Sequence, residues 1–236
     1  MKAMYYVTGA NHTHGRSVPQ LLGTLRLWER WSRVVVYDLG LSVRQRQAIL
    51  DCDFNGSVET FPFDEYPAFF DINVNAGQYA WKPALVQREL NKSNAPLCWM
   101  DAGNYVRRPL WGIRRTVRRT GFYCPSSSHT VADWTHPLMI ENLGLPAGFC
   151  ADKQNLNTAC VAFDPLNAKA RHLADEWARC AMDENIIGPP GSSRQNHRQD
   201  QALLTVLAYR EGMVEEPVQR RHGYSLHRDL PETGDE

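Results

Sequence analysis

Short apolar runs alternate with amphipathic segments along this chain, and this alternation limits the fold more than any other sequence feature. Residues 4–7 and 34–37 form the first two apolar runs. The second is Val-Val-Val-Tyr, which is typical of a strand buried on both faces. Residues 18–28 lie between them and carry apolar side chains at helical spacing. This order predicts an α/β fold in which a mostly parallel central sheet forms the middle of a three-layer sandwich.

The alternation continues to residue 209 without a linker that would divide the chain. Ser17 with Gln20 and Ser42 with Gln45 have the spacing of capping boxes, which predicts helix starts after the first two strands. Later strands are predicted at residues 58–61, 96–100, 121–124 and 158–163, and later helices at residues 82–90, 166–181 and 200–209. We therefore expect one domain over residues 1–236, with an acidic tail that frays from Asp229.

Composition excludes several classes of protein. The 26 basic and 26 acidic residues cancel, so the chain lacks the positive field of a general nucleic-acid binder. No apolar run approaches the roughly 18 residues of a membrane span, and the first ten residues are too polar for a signal peptide. The six cysteines include no Cys-x-x-Cys pair, which predicts free thiols in a reduced, cytoplasmic protein.

One basic segment departs from this overall balance. Six arginines lie between Arg107 and Arg119. On a helix they would form a solvated face, or else a patch that binds a phosphate-bearing partner or an anionic membrane surface. Peripheral membrane contact through this segment is therefore one expectation for the chain.

Polar residues follow the predicted strands, at the edge of the sheet where α/β proteins bind their ligands. Asp38 follows the second strand and would either accept a hydrogen bond from a bound base or ribose, or close the turn before the next helix. Asp101 emerges from a buried strand directly before Ala102 and Gly103, whose small size leaves room for a ligand. Its carboxylate suits a metal ion or a ribose hydroxyl, and an Asx-turn is the alternative.

Charged residues at two helix starts are further candidates. Lys82 lies at a predicted helix N-terminus, where its charge and the helix dipole would hold a diphosphate, unless it is simply solvated. His197, Arg198 and Asp200 follow a loop rich in Pro, Gly and Ser, as in a mobile lid that meets a site. Asp200 would act as a general base or cap its helix, and His197 would bind a metal or a phosphate.

The order of these segments resembles that of nucleotide-sugar glycosyltransferases with the GT-A fold, most closely a little-characterised branch of them. The segments are Tyr-Asp-Leu-Gly-Leu at 37–41, Tyr-Ala-Trp-Lys-Pro at 79–83, Trp-Met-Asp-Ala-Gly at 99–103 and Asp-Gln at 200–201. The resemblance spans residues 4–210. It implies transfer of a sugar from a nucleotide diphosphate donor, with a UDP-sugar favoured, to an acceptor hydroxyl on a cell-surface glycan or glycolipid.

The resemblance also implies roles for individual residues. The nucleotide pocket would be lined by Thr8, Ala10, Asn11 and Asp38, the last of which contacts the base. Lys82 would contact the ribose or the diphosphate. Asp200 would deprotonate the acceptor if the anomeric centre inverts, or position the sugar if the configuration is retained.

A departure from the family pattern concerns the metal. Asp101 matches the first aspartate of the Asp-x-Asp motif that holds Mn²⁺ or Mg²⁺, but the third position is Gly103, which has no side chain to offer. Asn104, or a histidine such as His197 or His222, would then have to join Asp101. Without a metal, arginines such as Arg194 or Arg198 would have to offset the charge of the leaving diphosphate.

Two other functions fit parts of the sequence. His12 and His14 alternate on an extended segment, and with a later histidine and Asp200 they would suit a metal-dependent hydrolase. The later histidine would be His129, His136 or His197. Gly103 also fits a non-catalytic nucleotide-binding protein with a degenerate GT-A fold.

Overall fold

The first apolar runs form adjacent parallel strands in the middle of a six-stranded sheet. A computed structural model of the chain describes residues 4–231. The sheet consists, in spatial order, of β3 (Gly56–Thr60), β2 (Val34–Asp38), β1 (Tyr5–Ala10), β4 (Leu97–Met100), β9 (Cys160–Phe163) and β6 (Phe122–Tyr123). The first four strands are parallel, and β9 runs antiparallel to both of its neighbours. The prediction of a mostly parallel central sheet is confirmed.

Helices cover both faces of this sheet. In chain order they are α1 (Ser17–Trp28), α2 (Val43–Leu50), α3 (Trp81–Lys92), α4 (Trp111–Thr120), α5 (Val131–Trp134), α6 (Pro137–Asn142), α7 (Ala168–Ala181), α8 (Glu184–Ile187) and α9 (Gln199–Arg210). One apolar core joins the sheet to α3, α7 and α9, and the other joins its opposite face to α1, α2 and α4. Alternate residues of each strand enter opposite cores, as the period of a strand requires.

Short strands outside the main sheet form two small antiparallel pairs. β5 (Tyr105–Val106) pairs with β10 (Tyr224–Ser225), and β7 (Ser126–Thr130) pairs with β8 (Gln154–Leu156). The pairing of β5 with β10 fixes the C-terminal segment beside the turn that follows β4. None of the helices described in residues 4–231 is long and apolar enough to cross a bilayer.

The two predicted capping boxes have different outcomes. Ser42 and Gln45 form the predicted box at the start of α2. The first helix begins at Ser17 itself, so Arg16 takes the N-cap position and makes no side-chain cap, while the Ser17 hydroxyl accepts a hydrogen bond from the backbone of Leu230 at 3.0 Å. The amide of Gln20 likewise donates to the carbonyl of residue 228. The C-terminal segment therefore occupies the groups that the sequence assigned to a cap.

The first residues of the predicted acidic tail also contact α1. Asp229 accepts a hydrogen bond from Ser17 at 3.4 Å, and Arg16 donates to the carbonyl of Pro231 at 2.7 Å. Residues 229 and 231 therefore lie against the start of α1. The rest of the predicted tail lies outside the described residues, and its fraying stays a prediction.

Candidate functional site

A cleft of about 1010 Å³ opens at the carboxyl ends of β1 and β4. Its walls come from the turns after these two strands, the starts of α3 and α9, and the C-terminal segment. Of the sequence-predicted residues, the cleft brings together Ala10, Asn11, Lys82, Asp101, Gly103, Arg198 and Asp200. This is the edge of the sheet where α/β folds bind ligands, and the volume is that of a small-molecule or cofactor site.

Lys82 lies between two carboxylates at this cleft. Its ammonium nitrogen is 3.1 Å from Asp101 Oδ1 and 3.3 Å from Asp200 Oδ2. The side chain is only 5% exposed, because it leaves the first turn of α3 among aromatic rings. The rings of Trp81 and Trp99 have their centroids 6.0 and 5.6 Å from the ammonium. The sequence allowed Lys82 to be either solvated or part of a site, and in the fold it is buried.

The charges of this cluster depend on one another. Burial disfavours the charged amine, but the carboxylates of Asp101 and Asp200 outweigh it and raise the pKa of Lys82 above its usual range. Lys82 is therefore an ammonium ion at neutral pH. Burial raises the pKa of Asp200 above its usual value, against the opposing effects of Lys82 and Thr158. A buried carboxyl with this direction of shift is a feature of functional sites.

The carboxylate of Asp200 is fixed in orientation from several sides. Its Oδ2 atom accepts a hydrogen bond from the Thr158 hydroxyl at 2.7 Å, in addition to the contact with Lys82. The indole of Trp177 donates to the Asp200 carbonyl at 3.0 Å, which holds the start of α9. Within residues 4–231, no hydrogen bond reaches Oδ1. One oxygen of this carboxylate is thus left for a ligand in the cleft.

Asp101 is held on a turn that is tied to the neighbouring strand. Its amide donates to the carbonyl of Ala159 at 2.9 Å, and the side chain of Asn104 donates to the same carbonyl at 2.6 Å. Its Oδ1 atom accepts from the Trp99 indole at 2.6 Å. The side chain is 37% exposed, so a carboxylate with one rigidly held oxygen faces the cleft.

A carboxylate from the C-terminal segment lies against Gly103. A Cβ added to Gly103 would overlap the carboxylate of Asp229, and the carbonyl of Gly103 accepts a hydrogen bond from the backbone of Arg228 at 2.7 Å. Asp229 Oδ1 is 3.3 Å from Nδ1 of His14. Sequence reasoning missed Asp229, because only Gly103 signalled a gap and nothing local pointed to a residue so far along the chain.

The side chains beside this turn offer atom types that a divalent cation binds, but within residues 4–231 they do not form a complete metal cluster by themselves. Carboxylates of Asp101 and Asp229 and the imidazole of His14 supply the oxygen and nitrogen atoms that Mn²⁺ accepts. In the part of the chain that the structure describes, no three His, Cys, Asp or Glu side chains are close enough to hold a metal together. Further ligands would therefore have to come from a bound diphosphate or water.

The structure does not bring His197 to Asp101. The His197 ring is fully buried, its Nδ1 atom accepts from the backbone of His136 at 3.2 Å, and its Nε2 atom is 2.9 Å from the Ile187 carbonyl. Burial lowers the pKa of His197 to about 4, so the ring is neutral. It links the loop before α9 to α6 and α8, and His222 packs instead beside Gly112 of α4.

Two residues predicted for the nucleotide pocket also lie outside the cleft. Asp38 Oδ1 accepts from the backbones of Gly40 and Leu41, and its Oδ2 atom is 2.9 Å from Arg46. This is the turn-closing role that the sequence left open. Thr8 is buried inside β1.

The histidines considered for a hydrolase are dispersed among other roles. His14 faces the cleft, whereas the backbone of His12 donates to the carbonyl of Gly40. His129 lies 3.9 Å from Asp133, and His136 caps α6. These positions give the histidine set no common centre.

Comparison with solved structures identifies the fold. The galactosyltransferase LgtC, solved with donor and acceptor sugar analogues, matches 86% of this chain and 69% of its own, with 13% identity and a TM-score of 0.52. Core-mannan synthase A from Aspergillus fumigatus, in its Mn/GDP form, matches 88% of this chain and 70% of its own, with 6% identity and a TM-score of 0.51. This chain has the GT-A fold. The fold expected from the order of the sequence segments is confirmed.

A third solved structure is much longer than this chain. The bifunctional glycosyltransferase WbbM, in its apo form, matches 87% of this chain with 11% identity and a TM-score of 0.55. The match covers 37% of the WbbM chain, so this chain spans well under half of that protein. No family model matches the sequence, and no curated protein matches it.

Proposed function

We propose that this chain is a glycosyltransferase that moves a sugar from a nucleotide diphosphate donor, with a UDP-sugar favoured, to a hydroxyl of a glycan or glycolipid. The observation that carries the proposal is the charged Lys82 held between Asp101 and Asp200, at the ligand-binding edge of a GT-A fold. The structural neighbours named for donor and acceptor sugars and for Mn/GDP support the same class of reaction.

Basic side chains around the cleft suit the diphosphate of such a donor. They are Lys82, Arg194, Arg198, Arg220 and Arg221. Breaking the bond between the sugar and the diphosphate leaves negative charge on the phosphate oxygens, and prearranged cations stabilise that charge. Arg198 is itself positioned by the indole ring of Trp134, whose centroid is 4.0 Å from the guanidinium carbon.

Asp200 is the residue that we propose to act on the sugar hydroxyls. The new bond joins the acceptor oxygen to the anomeric carbon, and the acceptor hydroxyl loses its proton. If the anomeric centre inverts, Oδ1 of Asp200 takes that proton; if the configuration is retained, Oδ1 accepts a hydrogen bond from the sugar. In both cases Lys82 and Thr158 fix the carboxylate through Oδ2.

A divalent cation, when bound, would neutralise part of the diphosphate charge. We propose that Asp101 and Asp229 hold it, with His14 beside them, in place of the pair of Asp101 and His197. Asp229 would then supply the carboxylate that an Asp-x-Asp motif takes from its third position, where this chain has Gly103.

The first experiment is a thermal-shift panel of UDP, GDP and their sugars, each with Mn²⁺ or with EDTA. A ligand that binds only the folded state raises the melting temperature. We expect a shift with UDP compounds that Lys82→Met weakens, whereas Asp152→Asn, an exposed aspartate outside the cleft, leaves it unchanged. No shift with any nucleotide would overturn the proposal.

Product analysis then separates catalysis from binding alone. UDP released together with a glycosylated acceptor or free sugar, detected by mass spectrometry, supports the transferase. A nucleotide shift without any turnover across the panel would favour the non-catalytic nucleotide-binding protein. A melting temperature that responds to EDTA but to no nucleotide would favour the metal-dependent hydrolase.

A further inference from the structure

Large apolar side chains are exposed where α1 ends. Leu27 is 69% exposed and Trp31 is 79% exposed, and Trp28 between them is partly exposed. The guanidinium of Arg30 lies 4.8 Å from the centroid of the Trp31 ring. Single exposed apolar residues are common, but two tryptophans and a leucine within five positions form an apolar patch.

Helix α4 places a third exposed tryptophan and a set of arginines next to this patch. Trp111, at the first position of α4, is 67% exposed. The two helices are joined through the buried Glu29, whose Oε1 atom accepts from the backbone of Leu110 at 2.8 Å and which pairs with Arg114. A shallow groove of about 490 Å³ is lined by Trp111, Arg114, Arg115, Arg118 and Arg119. The end of α1 and the outer face of α4 therefore form one surface.

This surface carries positive charge without matching carboxylates. Within residues 4–231, Arg30, Arg115 and Arg118 form no ion pair. The buried carboxylate of Glu29 pairs with Arg114. Arg26 pairs with Asp53, and Arg119 pairs with Glu215. The chain is neutral overall, so this is a local concentration of basic charge.

The arginine-rich segment seen in the sequence is divided by the fold. Arg107 precedes α4 and donates to the Ser225 hydroxyl, and Arg114 pairs with Glu29. Only the later arginines of α4 point outward beside Trp111. The apolar half of the surface comes from α1, which lies about eighty positions earlier in the chain.

We propose that this aromatic-basic surface, formed by Leu27, Trp28, Trp31, Trp111, Arg115 and Arg118, docks on the anionic headgroups of a lipid bilayer. Tryptophan side chains favour the membrane interface, where the apolar body of the ring contacts lipid and its N–H group contacts water. Arginine heads reach anionic headgroups while their stems cover apolar surface. A dissolved polyanion would engage the arginines but leave Leu27 and Trp31 in water, so the bilayer is the partner that uses the whole surface.

The proposal does not depend on the proposed glycosyl transfer, and vesicle co-sedimentation tests it directly. The probes are vesicles of phosphatidylcholine alone and of phosphatidylcholine with phosphatidylglycerol in equal parts. We expect binding to the anionic vesicles only, weakened by salt. Arg115→Gln with Arg118→Gln should lower the partition by about 30-fold, and Trp31→Ser with Trp111→Ser should lower it further.

The matched control is Leu166→Ser with Lys169→Gln, an exposed apolar and basic pair on the opposite helical layer, near the start of α7. It should bind as the unchanged protein does. Because all substituted residues are exposed, circular dichroism should report the same melting temperature for every variant. Absence of binding to anionic vesicles, or equal loss in the control, would overturn the proposal. Binding to DNA but not to vesicles would also overturn it, in favour of a polyanionic partner.

Discussion

Asp229 places its carboxylate where a side chain on Gly103 would begin. The contact joins the turn after β4 to the C-terminal segment, and it is reinforced by the hydrogen bond from Arg228 to the Gly103 carbonyl. Glycine at position 103 therefore makes room for a neighbour in space, and a carboxylate from another part of the chain lies beside the turn.

Adding a methyl group at position 103 should displace the Asp229 carboxylate. We expect Gly103→Ala to lower the free energy of unfolding by about 1 kcal/mol, because the carboxylate must turn away and lose its contacts with His14 and Ser17, which loosens the C-terminal segment. Limited proteolysis should cut the chain faster after residue 225. Gly23→Ala is the control, since its added Cβ meets open space within α1 and should be neutral or stabilise by about 1 kcal/mol. Equal behaviour of the two variants would contradict the account.

Removing the charge of Asp229 should weaken metal binding. We expect Asp229→Asn to reduce the affinity of the complex with UDP for Mn²⁺ by about tenfold or more, because one anionic oxygen ligand is lost. Electron paramagnetic resonance of free Mn²⁺ measures this without any activity assay. Asp152→Asn should keep the original affinity. An unchanged affinity in Asp229→Asn would remove Asp229 from the proposed site.

Removing the charge of Lys82 should destabilise the fold at neutral pH. Lys82→Met leaves two carboxylates without their cation, which costs about 3–5 kcal/mol. Because the folded-state pKa of Lys82 lies above its usual 10.5, its stabilisation is complete below that pH and is lost as the pH rises through the folded-state value. Urea unfolding should therefore show the largest difference from the unchanged protein at neutral pH and a smaller one in strong alkali.

A double variant tests whether that loss is electrostatic. Lys82→Met combined with Asp200→Asn removes a cation together with one of its buried anions. We expect it to be more stable than Lys82→Met alone. If the free energy of unfolding of the double variant instead falls by the sum of the two single decreases, the cluster is not coupled as its distances indicate.

The buried His197 should make the protein sensitive to mild acid. Its folded-state pKa of about 4 is below the ordinary 6.5, so the unfolded chain binds a proton first as the pH falls. Stability is lost between pH 6.5 and 4, by an amount on the order of 3 kcal/mol. His197→Gln removes this titration, and its unfolding free energy should change less across that interval. Parallel pH profiles for the two proteins would contradict a neutral, buried His197.

Asp200→Asn should separate binding from turnover. The amide keeps the size of the side chain but accepts protons and hydrogen bonds poorly, so we expect kcat to fall by about 10²–10⁴. Nucleotide affinity should change far less, because the arginines around the cleft remain. The configuration of the product, read by proton NMR, distinguishes the base from the positioning role. An unchanged kcat would exclude both roles for Asp200.

The sequence predicts the sheet well because each strand carries its own signal. Val34 to Tyr37 is apolar at every position, and a strand buried on both faces requires that composition. Ser42 caps α2 because its partner Gln45 is three residues away. Such local relationships survive in any fold that forms the element.

The site is harder to predict, because its residues are assigned by contacts between distant parts of the chain. Ser17 has the same local pattern as Ser42, but its hydroxyl accepts a hydrogen bond from the backbone of Leu230. The carboxylate of Asp38 binds the backbone of its own turn and the side chain of Arg46. The ring of His197 binds backbone groups of other elements. The type of residue was visible in each case, while the partner that decides its role was not.

The closure of the cleft by its C-terminal segment has a consequence for the order of folding. His14 and Asp229 are 215 positions apart, whereas the parallel pairing of β1 with β2 joins residues fewer than thirty positions apart. Bringing distant segments together costs more chain entropy, and contacts between near neighbours form sooner. During refolding we expect far-UV circular dichroism to recover before nucleotide binding does. The protein would then pass through a state that already has its sheet but does not yet bind a ligand.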